Sequence, residues 1–167
     1  MKKIPNKIWI PIVLVGLLFG GYLYLNKENV IVRVETASTG EKVVKVHEEN
    51  QKVDSEFPMS MSENSVQQAI HKMSHQKVQS KKKWGALPLT TERVKRLIQV
   101  VEANEKEYEN ADLYLRILRS WDKGDFDNVV IAHNSIWSLQ GGTVGKAYSA
   151  ASPEEEMKFI EENFDVK

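Results

Sequence analysis

The chain contains no cysteine, so neither a disulfide framework nor a thiolate metal site is available to it. It also lacks a surplus of either charge, with 23 Lys and Arg against 23 Asp and Glu. Setting aside Lys2, Lys3 and Lys7 leaves 20 basic residues against those 23 acidic ones. That balance excludes bulk attraction to nucleic acid or anionic lipid, while leaving room for a local patch. No internal repeat and no low-complexity block is visible. The lack of cysteine is compatible with an address outside the cytoplasm without demonstrating one.

Against these absences stands one long apolar run. Ile8 to Leu25 reads IWIPIVLVGLLFGGYLYL, eighteen positions without a charge behind a basic start. As a helix it would span about 27 Å, close to the hydrocarbon core of a bilayer. Pro11 falls in the first turns, where a missing donor costs least, and Trp9, Tyr22 and Tyr24 suit the two interfaces. A cleaved signal peptide is the main competitor, but the end of the run, GGYLYLNKEN, offers no small-x-small cleavage site. The expectation is therefore a basic cytoplasmic segment over 1–7, a single-pass transmembrane anchor over 8–25 and the remainder outside. Gly16 and Gly20 form a small-x-x-x-small pair that would permit close helix contact within lipid.

Residues 26–56 read as a juxtamembrane linker. VIVRVET and KVVKVHE alternate β-branched and charged residues around Ser38, Thr39 and Gly40, which predicts one hairpin. Such a hairpin is marginal in water unless it orders against something else.

From residue 57 the apolar period becomes helical, and the fold class expected is mainly α, with a compact domain of about five helices over 57–167. Ser60 with Glu63 suggests a capping box for a helix over 61–77, with Val66, Ala69, Ile70 and Met73 on one face. Thr90 or Thr91 starts a second helix, whose face is Val94, Leu97, Ile98 and Val101. A third runs from Ala111 to Trp121 and stops near Gly124. Asp125 caps a fourth, ended by Gly141 and Gly142. Ser152, Pro153 and Glu155 carry the cap, first-turn proline and N3 glutamate of the fifth, which contacts its neighbours through Met157, Phe159, Ile160 and Phe164.

Three constellations carry chemistry. His71 and His75 in HKMSH are four apart, the spacing of two zinc ligands on one helical face. Lys72 stands where a metalloprotease would need its glutamate, and its charge opposes a bound dication. Partner-facing or hydrogen-bonded histidines, a metal site, and acid-base work with His133 are the readings this leaves. GGTVGKA, from Gly141 to Ala147, fails as a phosphate loop: Gln140 replaces the first glycine, Ala147 the magnesium-binding hydroxyl, and a helix precedes it. Its glycines read as a helix stop with positive φ or close backbone approach. Lys77, Lys81, Lys82, Lys83 and Trp84 form a basic-aromatic loop, either simply solvated or able to hold an anionic polymer.

His133, Asn134 and Ser135 supply polar groups, yet adjacency in sequence is not triad geometry. Four residues on, Trp137 could share a helical face with His133. Together His71, His75, Lys77, Lys81, Lys82, Lys83, Trp84, His133, Trp137, Gly141, Gly142 and Lys146 make a candidate partner-binding patch. The expected function is a membrane-tethered interaction domain outside the cytoplasm, meeting an envelope protein or an anionic surface polymer, without cofactor and without nucleic acid. The alternative is an envelope hydrolase, metal-dependent or not, which requires His71, His75 and His133 to converge.

HKMSHQKV, KWGALPLTTERV, SWDKGDF, HNSIWSLQGGTVGKA and SPEEEMKFI together resemble a Bacillus-type family of short, membrane-anchored or exported chains, DUF6241, over about residues 55–165. The resemblance implies a Gram-positive envelope setting and a discrete C-terminal domain. It implies no activity, ligand or catalytic residue.

Overall fold

The computed structural model describes residues 29–36, 42–48 and 52–167. Strands β1 (Asn29–Thr36) and β2 (Lys42–Glu48) pair antiparallel. A single turn, α1 (Val53–Glu56), leads to α2 (Glu63–Ser74) and the short strand β3 (Val78–Ser80). Helices α3 (Thr91–Ala103), α4 (Ala111–Asp122) and α5 (Val129–Leu139) follow, then β4 (Ala147–Ala150), α6 (Pro153–Asn163) and β5 (Asp165–Val166). One sheet has the order β2-β1-β5, with β5 parallel to β1, and the second is the antiparallel pair β3-β4.

The described residues thus hold six helices and five strands, and the expectation of a mainly α chain is corrected to α+β. The strands that sequence reading passed over are short and find partners far along the chain: β3 meets β4, and β5 meets β1. Two to four residues carry too little alternation to announce a strand. The expected anchor over 8–25 and the basic segment over 1–7 lie outside the described residues. No helix among the described residues is long and apolar enough to cross a membrane, which corrects the single-pass reading as far as they reach. Even α3, with 13 residues, extends only about 20 Å.

Two apolar clusters organise the molecule. The larger joins α2, α3, α4 and α5 through Ile70, Met73, Leu97, Tyr114, Leu118 and Ile136, all fully buried. The smaller packs the hairpin on α6 and β5 through Val30, Val44, Val46, Phe159, Ile160 and Phe164. Charged groups cross between them. Lys77 Nζ reaches Glu156 of α6 at 2.7 Å, and both side chains are buried. Arg93 of α3, also buried, pairs with Glu48 of β2 and, at 3.0 Å, with Glu56 of α1.

The caps explain where the helices start. Thr90 Oγ1 accepts from the Arg93 N–H, and Ser152 forms the full capping box with Glu155, as the sequence indicated. For α2 the cap is Ser62 rather than Ser60, because Ser62 Oγ accepts from the Ser65 N–H. Glu63 is thereby released for a distant task. Its carboxylate accepts from the N–H groups of Glu109 and Asn110 and from Tyr114 Oη, closing the start of α4, whose own N-cap Asn110 makes no side-chain cap bond. Nor does Asp125 cap α5. It accepts instead from Ser120 Oγ and the Asp127 N–H, and Asn128 stands at the N-cap.

Candidate metal centre

Helix α2 carries two functional faces side by side. Val66, Ala69, Ile70 and Met73 enter the core, while Gln68, His71 and His75 follow at i, i+3 and i+7 along the adjoining strip. Helix α5 packs against α2 and brings His133 to the same place. The ring centroids lie 4.8 Å apart for His71 and His75, 4.6 Å for His71 and His133, and 5.5 Å for His75 and His133. One ring nitrogen from each lies within 4.8 Å of those of the other two. Convergence of the three is what the hydrolase alternative required. His71 is half-buried, His75 and His133 are buried, and exposure therefore decreases toward His133.

Each ring is held through Nδ1. His71 Nδ1–H donates to Gln140 Oε1 at 2.6 Å and His75 Nδ1–H to the Gly85 carbonyl at 2.7 Å. At His133 three contacts form a chain: Nδ1 to Ser74 Oγ at 2.9 Å, Ser74 Oγ to the His71 carbonyl at 2.6 Å, and Nε2 to the Gly145 carbonyl at 3.2 Å. A hydroxyl and a neutral imidazole bring two hydrogens to these three contacts. Ser74 Oγ gives its hydrogen to the His71 carbonyl, and the single ring proton serves either the Ser74 or the Gly145 contact, so one ring nitrogen keeps a lone pair. The Gly145 carbonyl also lies 2.8 Å from Ser80 Oγ, whose one hydrogen is shared with the Lys82 carbonyl at the same distance.

Burial keeps the rings neutral, the form that offers lone pairs. Desolvation lowers His71, against the opposing bond to Gln140. It lowers His75 to about 3, aided by the neighbouring His71 and His133 and opposed by Gly85. It lowers His133 to about 4, aided by His71 and opposed by Gly145. Three neutral imidazoles, each oriented by a second contact, match the donor set and outer-shell pattern of a zinc site. Tetrahedral bonds of 2.0–2.1 Å would set the nitrogens about 3.3 Å apart, so an ion would draw them inward modestly.

His71 and His75 open into a cavity of about 230 Å³ whose lining includes Lys82, Trp84, Trp137, Gln140 and Gly142. The expected patch is thereby partly assembled and partly dispersed. Lys77 leaves it for the buried pair with Glu156, its ammonium 4.4 Å from the Phe126 ring centroid. Lys81 and Lys83 face another groove beside α6, where Lys83 Nζ sits 4.5 Å from the Phe159 ring centroid. Trp84 is 63% exposed at the cavity edge. Lys146 Nζ is 6.0 Å from the Trp137 ring centroid.

The glycines fulfil both roles read from them. Gly141 has φ +66°, and the Gly142 N–H returns to the Trp137 carbonyl at 2.9 Å, closing a Schellman motif on α5. Trp137 Nε1–H donates to the Val144 carbonyl at 2.8 Å and holds the loop that delivers Gly145. The ring contacts of His133 are with His71 and His75. Asn134 pairs with both backbone groups of Ala147, while Ser135 lines a different cavity. Sequence reading did not single out Ser74, Gly85 or Gly145, whose contributions to the histidines are a hydroxyl and two carbonyls. All three lie in stretches the sequence picks out, Ser74 in HKMSH, Gly85 in KWGALPL and Gly145 in GGTVGKA, but nothing there links them to the histidines.

A small α+β domain with a three-histidine cluster, two of whose members line a cavity, is the class that fold and site define. The sequence profile of a family of unknown function, DUF6241, matches residues 70–161, and the chain belongs to that family. The matched stretch includes all three clustered histidines together with Ser74, Gly85, Gln140 and Gly145. No curated protein and no solved structure matches the chain.

Proposed function

We propose that this is a metal-binding domain in which His71, His75 and His133 hold one divalent ion of the zinc class, with a coordination position open to the cavity. The observation that carries the reading is the approach of three ring nitrogens, from two helices, to within 4.8 Å of one another. Three protein ligands with a fourth position free are the arrangement of catalytic rather than structural zinc. A water in that position would be acidified toward neutrality and supply a nucleophile, so hydrolysis is the reaction class that follows. The test is zinc uptake by the purified full chain. One ion per chain is expected, lost in H71A, H75A and H133A and retained in H47A, which removes the fourth histidine of the sequence. Uptake that persists after removing all three clustered histidines would defeat the reading.

A second reading, an interaction domain for an envelope protein or anionic polymer, is favoured by the exposed Trp84 at the cavity edge. It predicts that W84A abolishes partner capture while zinc uptake is unchanged.

A further inference from the structure

We infer that the cavity takes an organic oxyanion, a carboxylate or a phosphate ester, with its charged group directed at the open metal position. This rests on the metal reading above. The first support is charge. Lys82 belongs to the cavity lining, and no aspartate or glutamate does. A dication held by three neutral rings adds positive charge at the same place, and in a partly buried site that charge favours an anionic ligand strongly.

The second support is a stranded donor. Gln140 holds His71 through Oε1, which fixes its Nε2 as the amide's donor end, and that nitrogen is buried without a hydrogen-bond partner. A buried N–H group left unmade costs free energy, and an oxygen acceptor brought in by a ligand would relieve it. Gln140 and Lys82 line the same cavity as His71 and His75, and a small shift of the buried amide on ligand entry would bring its donor, the Lys82 ammonium and the open coordination position to one recess. All three ask for an oxygen carrying negative charge.

Size and apolar lining make the ligand organic. About 230 Å³ is room for several waters, far more than one oxyanion fills. Trp84, Trp137 and Val144 contribute apolar lining for the remainder of the molecule. The charged group is bound and oriented by the metal and Gln140, the body by the indoles.

Cobalt(II) in place of zinc makes the site visible, because a ligand entering the coordination sphere changes the d–d absorption. The full chain loaded with cobalt is titrated with phenyl phosphate, benzoate, inorganic phosphate and the neutral control benzyl alcohol. The expected result is a spectral change with phenyl phosphate or benzoate at concentrations at least about tenfold below those needed for inorganic phosphate, and none with benzyl alcohol. Whichever of the two aromatic anions binds more tightly identifies the ester or the carboxylate as the source. K82A should weaken that binding about tenfold with cobalt affinity unchanged. Cobalt absorption that no anion alters, or inorganic phosphate binding as tightly as both organic anions, overturns this inference and leaves the metal reading standing. Failure to bind cobalt overturns both.

Discussion

Gly142 lies against the face of Trp137 so closely that a Cβ built on it would fall 2.3 Å from Cε2 of the indole. No real side chain tolerates that approach, so either the ring or the loop must move when any other residue is placed there. Since Trp137 also holds the Val144 carbonyl, the displacement reaches the segment that presents Gly145 to His133. G142A is therefore expected to lower stability by about 1–3 kcal/mol, the range for overpacking. It should also weaken zinc binding, and urea unfolding followed by zinc titration checks both. Wild-type stability in G142A would mean that the indole yields freely.

Ser74 tests the outer shell of the proposed metal site without touching a ligand. S74A removes the hydroxyl that orients the His133 ring but leaves all three imidazoles. Zinc should still bind at one ion per chain, about 10–100-fold more weakly. Competition against a chromophoric chelator measures this, and unchanged affinity would show that packing alone orients His133.

Glu63 gives a pH dependence with a definite sign. Desolvation raises its pKa, but the bonds from Tyr114, Glu109 and Asn110 prevail and hold it below the ordinary glutamate value. A carboxyl lowered in the folded state contributes stability above its unfolded pKa and loses it as pH falls through the folded pKa. E63Q should consequently be less stable than wild type by about 1–3 kcal/mol at neutral pH. The gap should close in the acid range below pH about 4. Chemical denaturation at several pH values decides it, and a gap independent of pH would assign the loss to shape rather than charge.

The pair Lys77 and Glu156 should behave asymmetrically. Burial raises the Glu156 pKa despite the neighbouring ammonium and the bond from Gln76, so the pair does not fully repay its desolvation. K77M leaves a buried carboxylate with only Gln76 donating to it, and about 3–5 kcal/mol of stability should go. K77M/E156Q keeps an acceptor for Gln76 without the charge and should recover at least half. A double-mutant cycle by urea unfolding supplies the numbers, and additive losses would contradict this account.

Helices were legible in the sequence wherever cap and period agreed. The Ser152, Pro153 and Glu155 start of α6 and the Thr90 start of α3 stand as read. The reading failed where a nearby polar residue satisfied the same pattern, as with Ser60 for Ser62 and Asp125 for Asn128. It failed again for β3, β4 and β5, because their partners lie far along the chain and local alternation says nothing about them. At the site the i, i+4 spacing of His71 and His75 was visible. His133 joins them only through the packing of α5 on α2, which no spacing in the sequence reveals.

The division into two apolar clusters sets an order of opening. The hairpin, α6 and β5 share the small cluster, whereas the histidine-bearing helices α2 and α5 belong to the large one. A segment with few buried apolar contacts opens at a lower free energy than the main core. Hydrogen exchange should therefore run ahead in β1, β2 and α6 of that in α2 and α5. Opening of the hairpin on this account leaves the packing of α2 on α5, and with it the three imidazoles, in place.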